Sequence, residues 1–269
     1  MGNAQFIVDK DRCTGCGLCL DVCPGNMVGG TVLTMTDGHP EMVDQTKFGW
    51  KGCWRCQHCM AICPNGAISV LGVDPDKVSE KPDDSIKEEL PKLMRYRRTC
   101  RDFKRDEVDP EIIDGILDAI GAVPTGGNNQ QLNFSVVYTR DAMRKIYNAV
   151  FGEDRQMSLF GDDDDFSALR IYDAPHLFIA HKPAGERFRD GDYIEMTMAT
   201  AYFELLANAN GLGTVISTYS AELFSKNKEV RRILGIPDDH IFMSVVGFGY
   251  PKYNYVRGIE KHKKVIKVK

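Results

Sequence analysis

CTGCGLCLDVCP at residues 13–24 and CWRCQHCMAICP at residues 53–64 decide how the rest of the chain is read. Each has the spacing C-x2-C-x2-C-x3-C, and each closes on a proline, Pro24 or Pro64. Together they hold eight of the nine cysteines, all in the first quarter of the chain. Three thiolates two residues apart curl round one face of a compact metal centre, and the fourth lies further along, at the start of a helix. Proline lacks an N–H and has a fixed φ, so it suits the turn where the fourth ligand leaves the loop. Gly15 and Gly17 let the backbone approach closely, with N–H groups directed at sulfur. Disulfides would need an oxidising compartment, and two intervening residues are too few for most bridges. Structural zinc sites use two C-x2-C pairs separated by a longer span, unlike four cysteines per run.

The two runs resemble those of bacterial two-cluster ferredoxins, in which the fourth cysteine of each run ligates the other cluster. That assigns Cys13, Cys16, Cys19 and Cys63 to one [4Fe-4S] cluster, and Cys53, Cys56, Cys59 and Cys23 to a second. Trp54, Arg55, Gln57 and His58 replace the small residues of the first loop. The second cluster is therefore expected in a different polar environment, with a different potential.

With 269 residues, the chain is long enough for one large domain or two. Residues 1–72 read as the two-cluster ferredoxin domain, 73–84 as a linker and 85–269 as a second domain with a sizeable core. A net charge of −4 with 27% charged residues gives no argument for a nucleic-acid partner. No apolar run approaches the roughly 20 residues that span a bilayer, and MGNAQFIVDK has no signal-peptide core. A cytoplasmic location in a reducing, anaerobic cell is expected, without membrane contact.

Residues 4–9 read as a short strand, paired with a closing strand over 67–70. Residues 31–44 read as a hairpin about Asp37-Gly38. Residues 73–92 are rich in Pro, Asp, Lys and Glu, and their first half reads as exposed linker. Ser85 is expected to cap a helix reaching Tyr96, with Glu88 as capping-box partner and Pro91 near its middle.

Arg97-Arg98-Thr99-Cys100-Arg101-Asp102-Phe103 follows. Three arginines and a hydroxyl within five residues make a candidate anion site. Asp109 caps the next helix, with Pro110 at its first position and Ile112, Ile113, Ile116, Leu117 and Ile120 on its apolar face. That helix ends in the irregular loop AVPTGGNNQQ, residues 122–131, and a strand follows over Phe134 to Tyr138.

These two segments resemble the R-R-[ST]-x-R-x-F and P-[ST]-x-x-N-x-Q motifs of the nitroreductase family of FMN-dependent oxidoreductases, and the likeness extends over roughly residues 85–269. The resemblance implies an α+β fold, with a mixed, mainly antiparallel sheet flanked by helices. It implies a homodimer with two FMN sites at the interface. Arg97, Arg98, Thr99 and Arg101 would hold the FMN phosphate and ribityl chain, a task for which guanidinium groups suit because they grip phosphate bidentately. Pro124, Thr125, Gly126 and Asn128 would lie against the isoalloxazine of the partner subunit's flavin, with Gln130 supporting the loop. Ser217 and Thr218 would approach the ring through backbone groups. Arg257 would add a phosphate contact, with Lys261, Lys263 and Lys264 as runners-up. Gln131-Leu132-Asn133 departs from the Pro-Trp that members often carry there, so the packing behind the loop is expected to differ.

Further on, helices are expected over 140–152, 192–210 and 220–234, and strands over 176–181, 214–218 and 241–247. Gly211-Leu212-Gly213 stops the long helix, with Gly211 left-handed. Asp162 to Asp165 reads as a solvated loop, with a lid over the substrate as the alternative. Cys100 reads as a small buried hydrophobe. No glycine fingerprint of a dinucleotide-binding fold is present.

The expected function is an iron–sulfur flavoprotein oxidoreductase. Electrons from an external ferredoxin would pass through two clusters to FMN, which reduces a small electrophilic acceptor such as a nitro compound or quinone. NAD(P)H-dependent flavin or ene reduction and reductive dehalogenation are alternatives. A carrier that hands electrons to a protein partner is an alternative of a different class. No general acid is singled out.

Overall fold

A computed structural model of the chain describes residues 2–152, 169–185, 189–261 and 264–268. Asp162 to Asp165 and Lys263 lie outside the described residues. The chain forms two compact units. The first is Met1–Pro82 with Thr125–Gln130, and the second is Asp83–Pro124 with Gln131–Lys269.

In the first unit the elements are β1 (Ile7–Val8), α1 (Leu18–Asp21), α2 (Pro24–Met27), β2 (Leu33–Thr36), β3 (His39–Met42), α3 (His58–Ala61) and β4 (Ile68–Ser69). The sequence places the terminal strands together, and β1 pairs antiparallel with β4, Ile7 opposite Ser69 and Val8 opposite Ile68. β2 and β3 form the expected hairpin, Thr36 opposite His39. Its two turn residues, Asp37 and Gly38, have φ of 48° and 80°, the left-handed pair of a tight hairpin turn. The turn packs on the first cysteine loop so closely that a Cβ on Gly15 would lie 2.5 Å from the Gly38 carbonyl oxygen. Phe6, Val32, Leu33, Met42, Met60 and Ile68 fill the small core beneath.

The second unit opens with α4 (Ile86–Tyr96), followed by α5 (Pro110–Ile120). The capping box expected at Ser85 does not form. Ser85 already has helical φ/ψ and its side chain makes no cap bond. The Asp83 carboxylate instead accepts from the Ser85 N–H at 2.8 Å, so the stop for the free donors lies two residues earlier. Asp109 caps α5 as expected, accepting from Glu111 N–H at 3.0 Å, and Ile113, Ile116 and Ile120 are buried.

β5 (Asn133–Val137), α6 (Arg140–Phe151), β6 (His176–Pro183), α7 (Arg189–Ala209), β7 (Gly213–Ser217), α8 (Thr218–Lys226), α9 (Lys228–Leu234), β8 (His240–Ile241) and β9 (Val245–Gly249) complete the unit. The sheet order is β5-β6-β9-β7, every neighbour antiparallel, with β8 paired to β6. A single parallel bridge joins Thr99 to Thr214 beyond this set. β6 is buried along almost its whole length because helices cover both faces. Phe178 stacks on Phe203 of α7 at 4.0 Å. Ser135 turns to the opposite face, where its Oγ donates to the Leu234 carbonyl at the end of α9. The fold is therefore the α+β arrangement of an antiparallel sheet flanked by helices, preceded by a small unit built round the two cysteine loops.

Two elements differ from expectation. The helix over 220–234 is two helices, α8 and α9, broken at Asn227 with φ −104° and ψ 107°. The Asn227 side chain accepts from Val230 N–H at 3.0 Å and donates to the Ala149 carbonyl at 2.8 Å, so capping and packing outweigh continuity. The strand over 241–247 is likewise split. β9 pairs Val246 with Phe178, whereas β8 pairs Ile241 with Lys182. The register shifts by one residue between them, leaving an unpaired excess as in a bulge.

The β6 face opposite α7 carries a buried polar cluster. His181 Nε2 lies 3.0 Å from Ser135 Oγ, and its Nδ1 lies 2.7 Å from Nδ1 of His240. Burial, then the neighbouring His240 and Arg231, push His181 down to about 4. Burial lowers His176 as well. An imidazole depressed in the folded state takes its proton first when unfolded, near its ordinary value of about 6.5. Stability is therefore complete above that value and falls as pH drops from about 6.5 towards 4. Melting temperature should decline over this window, and more shallowly in His181→Asn; identical slopes would remove His181 from the explanation.

Candidate iron–sulfur and flavin sites

The eight cysteines of the two runs line two small cavities. Cys13, Cys16, Cys19 and Cys63 border the first, with Leu18, Pro40 and Ile68. Cys23, Cys53, Cys56 and Cys59 border the second, with Val32, Leu33 and Met42. Each cavity takes three sulfurs from one run and the last from the other, the exchange implied by the resemblance to two-cluster ferredoxins. Among the described residues no three His, Cys, Asp or Glu side chains converge where one ion would sit. A cubane asks for something else, four soft sulfurs round an apolar space with N–H groups aimed at them. Arg55 N–H donates to Cys53 Sγ at 3.4 Å, and Ala67 N–H to Cys63 Sγ at 3.3 Å. Burial pushes the Cys59 thiol up to about 12, so thiolate at that position depends on bound iron.

The two loops follow one backbone path. Gly15 and Gly17 have φ of 68° and 80°, and their counterparts Arg55 and Gln57 have 55° and 59°. Left-handed backbone costs a side-chain-bearing residue about 1–2 kcal/mol. The second loop bears this cost and gains large side chains beside its sulfurs. Arg55 lies over Phe48 at 5.4 Å, and Trp54 tilts against Trp50 at 5.5 Å.

Thr125–Gln130 belongs to the same unit as these loops. Gly126–Asn128 is a 3-10 turn, and Gln130 N–H donates to Thr125 Oγ1 at 3.1 Å. Asn128 Nδ2 donates to the Trp54 carbonyl at 2.8 Å, and Gln130 Nε2 to the Arg55 carbonyl at 3.4 Å. The sequence groups this segment with the second domain, and nothing in its local pattern discloses these partners. Pro124 falls in the second unit and is exposed.

In the second unit, a cavity of about 230 Å3 is lined by Arg98, Thr99, Cys100 and Arg101 from the candidate anion segment. Asn208, Gly211 to Gly213, Pro251 and Tyr253 to Tyr255 close it, with Tyr96 and Asp102. Main-chain bonds sew the segment into place. Cys100 N–H donates to the Thr214 carbonyl at 2.7 Å, Lys104 N–H to Tyr250 at 2.8 Å, and Lys252 N–H to Asp102 at 2.9 Å. Arg98 lies over the Tyr255 ring at 5.1 Å and Arg101 over Tyr172 at 5.7 Å. Two guanidinium groups beside a hydroxyl are suited to a phosphate.

Arg97 is placed differently. It does not line the cavity, and its Nη1 donates to Glu204 Oε1 at 2.6 Å. Ser217 is buried and caps α8, its Oγ accepting from Ser220 N–H at 3.1 Å. Thr218 opens α8 instead of ending the strand. Arg257, Lys261 and Lys264 are exposed and outside the cavity wall. Cys100 is half-buried, its thiol pushed up by burial and donating to the Asp102 carbonyl at 3.2 Å, an inert wall residue. A Cβ on Gly213 would lie 2.8 Å from its sulfur, which is why glycine stands there. Asn208 and the Tyr253 to Tyr255 stretch were not foreseen; the aromatic run after Pro251 was the available signal.

Comparison with known proteins agrees with both halves. The nitroreductase family matches over residues 94–250, and the 4Fe-4S dicluster domain over 12–67. The chain belongs to the nitroreductase family and carries an N-terminal 4Fe-4S ferredoxin domain. It is thus an oxidoreductase of an FMN-dependent family. An Archaeoglobus fulgidus protein described as a candidate NADH dehydrogenase/NAD(P)H nitroreductase is 27% identical, over 61% of this chain and 87% of its own. An uncharacterized ferredoxin from Methanocaldococcus jannaschii is 33% identical over 28% of this chain and 90% of its own. An iodotyrosine deiodinase from Haliscomenobacter hydrossis is 26% identical over 59% and 78%. A nitroreductase of Desulfitobacterium hafniense, solved with bound FMN, shares the fold with TM-score 0.54 at 19% identity, over 68% of this chain and 99% of that one. No helix among the described residues is long and apolar enough to cross a membrane.

Proposed function

We propose that this protein carries electrons through two [4Fe-4S] clusters to FMN and uses them to reduce a small electrophilic molecule. The grouping of its eight cysteines into two four-sulfur cavities carries the reading. Bound FMN supplies the junction between one-electron and two-electron chemistry. Arg98, Thr99 and Arg101 are the residues to grip its phosphate. Thr125, Gly126 and Asn128 are those to face the ring of the partner subunit's flavin in a homodimer, with Pro124 beside them and Gln130 in support. Arg97 orients the segment through Glu204, Ser217 and Thr218 offer backbone groups, and Arg257 a further cation. An external low-potential ferredoxin is the proposed donor and NAD(P)H the second, in a cytoplasmic setting.

The acceptor class is a nitro compound or quinone. The deiodinases among the relatives put aryl halides in the same panel. Anaerobic purification with iron, sulfide and flavin quantified should yield about eight iron and about one FMN per chain. Reduced ferredoxin should then drive acceptor reduction, and Cys16→Ser with Cys56→Ser should abolish it while FMN is retained. About four iron per chain, or unchanged ferredoxin-driven turnover in the double variant, would defeat the reading.

A further inference from the structure

We infer that the two clusters have distinct places in the electron path. The centre of Cys53, Cys56, Cys59 and Cys23 exchanges electrons with the flavin, and Asn128 is the positioning residue that couples them. This rests on the FMN reading above. The observation is one peptide group. The Trp54 carbonyl accepts from Asn128 Nδ2 at 2.8 Å. The N–H of that same peptide, on Arg55, donates to Cys53 Sγ at 3.4 Å. Asn128 therefore polarises a dipole whose other end touches a cluster ligand, and such bonds set cluster potentials. Gln130 holds the neighbouring carbonyl, Arg55, at 3.4 Å.

Asn128 and Gln130 both reach the second centre's loop and not the first's. The corresponding peptide there is Thr14-Gly15, whereas Asn128 and Gln130 spend their amide groups on Trp54 and Arg55. The ligands differ in exposure too. Cys16 is exposed, whereas the other seven run cysteines are buried or half-buried. The first centre thus offers an edge to an incoming carrier, and the second lies under the segment that faces the flavin ring. Each passage moves one electron. A low-potential one-electron carrier is oxidised at the Cys13, Cys16, Cys19 and Cys63 centre, and two passages with two protons from solvent complete the reduction of one flavin.

The holoprotein and its Asn128→Leu variant should be titrated anaerobically, with the two cluster signals followed by electron paramagnetic resonance. Cys56→Ser, which alters one of them, identifies which is which. Asn128→Leu should displace the midpoint of the Cys53-containing cluster and leave the other in place. Flavin midpoint should move with Cys56→Ser and stay put with Cys16→Ser. Gln130→Leu, expected to act in the same direction but less, stands in if Asn128→Leu loses iron. The inference fails if neither substitution displaces the second cluster, if either displaces the first, or if flavin answers to Cys16→Ser instead. Wild-type protein that binds no flavin removes the FMN reading, and this inference with it. Flavin present with the wrong cluster responding removes this inference alone.

Discussion

Lys182→Met is expected to destabilise the second unit by about 3–5 kcal/mol, the cost of leaving buried carboxylates without their cation. Lys182 is 2% exposed. Its ammonium lies 2.7 Å from Asp192 and 2.6 Å from Glu195, both buried on α7. The loss is large against a typical total of roughly 5–15 kcal/mol. Denaturant unfolding would show it as a lower midpoint with an unchanged slope. Adding Asp192→Leu and Glu195→Met should restore much of the loss, because well-packed apolar groups often replace a buried ion cluster without penalty. A triple variant as unstable as the single one would place the cost in packing.

The same cluster has a pH signature. Burial works to lower Lys182, but the two carboxylates overcome it and hold the ammonium above its usual range. A cation raised on folding stabilises fully below its unfolded value, about 10.4, and loses that contribution as pH climbs through the folded one. Wild type should therefore weaken in alkali above about pH 10, more steeply than Lys182→Met.

Arg98→Ala and Arg101→Ala are each expected to weaken FMN binding by roughly 10- to 100-fold, the value of a charge-assisted bond of about 1.5–3 kcal/mol. Riboflavin has no phosphate, so its affinity should change little. Titration of apoprotein with both flavins gives a ratio that isolates phosphate recognition from general damage. Arg97→Ala should lower stability, because it leaves Glu204 without its 2.6 Å partner, while the ratio stays put. A ratio that collapses in Arg97→Ala but not in Arg98→Ala would reverse the assignment of these neighbours.

Much of this fold was legible where the cause is local. The hairpin about Asp37-Gly38 is written in two residues that tolerate left-handed backbone. The start of α5 is written in Asp109 and Pro110, and the end of α7 in Gly211. Expectations failed where a distant partner outweighed the local pattern. Asn227 interrupts a helical stretch because its amide caps α9 and reaches Ala149. The apolar run over 241–247 splits because β6 takes its two halves in different registers.

The sites divide in the same way. Cysteine spacing is a property of a dozen consecutive residues, so the sequence by itself determined the two cysteine runs, the ferredoxin domain and the arginine-rich segment. Three arginines in five residues look equivalent in a string. Only the tertiary structure decided that Arg98 and Arg101 line the cavity while Glu204, 107 residues on from Arg97, holds Arg97 aside. It alone brought Asn128 within hydrogen-bonding reach of Trp54, 74 residues earlier. A side chain's charge is inherited from the sequence, but the group that answers it depends on where the folded chain returns.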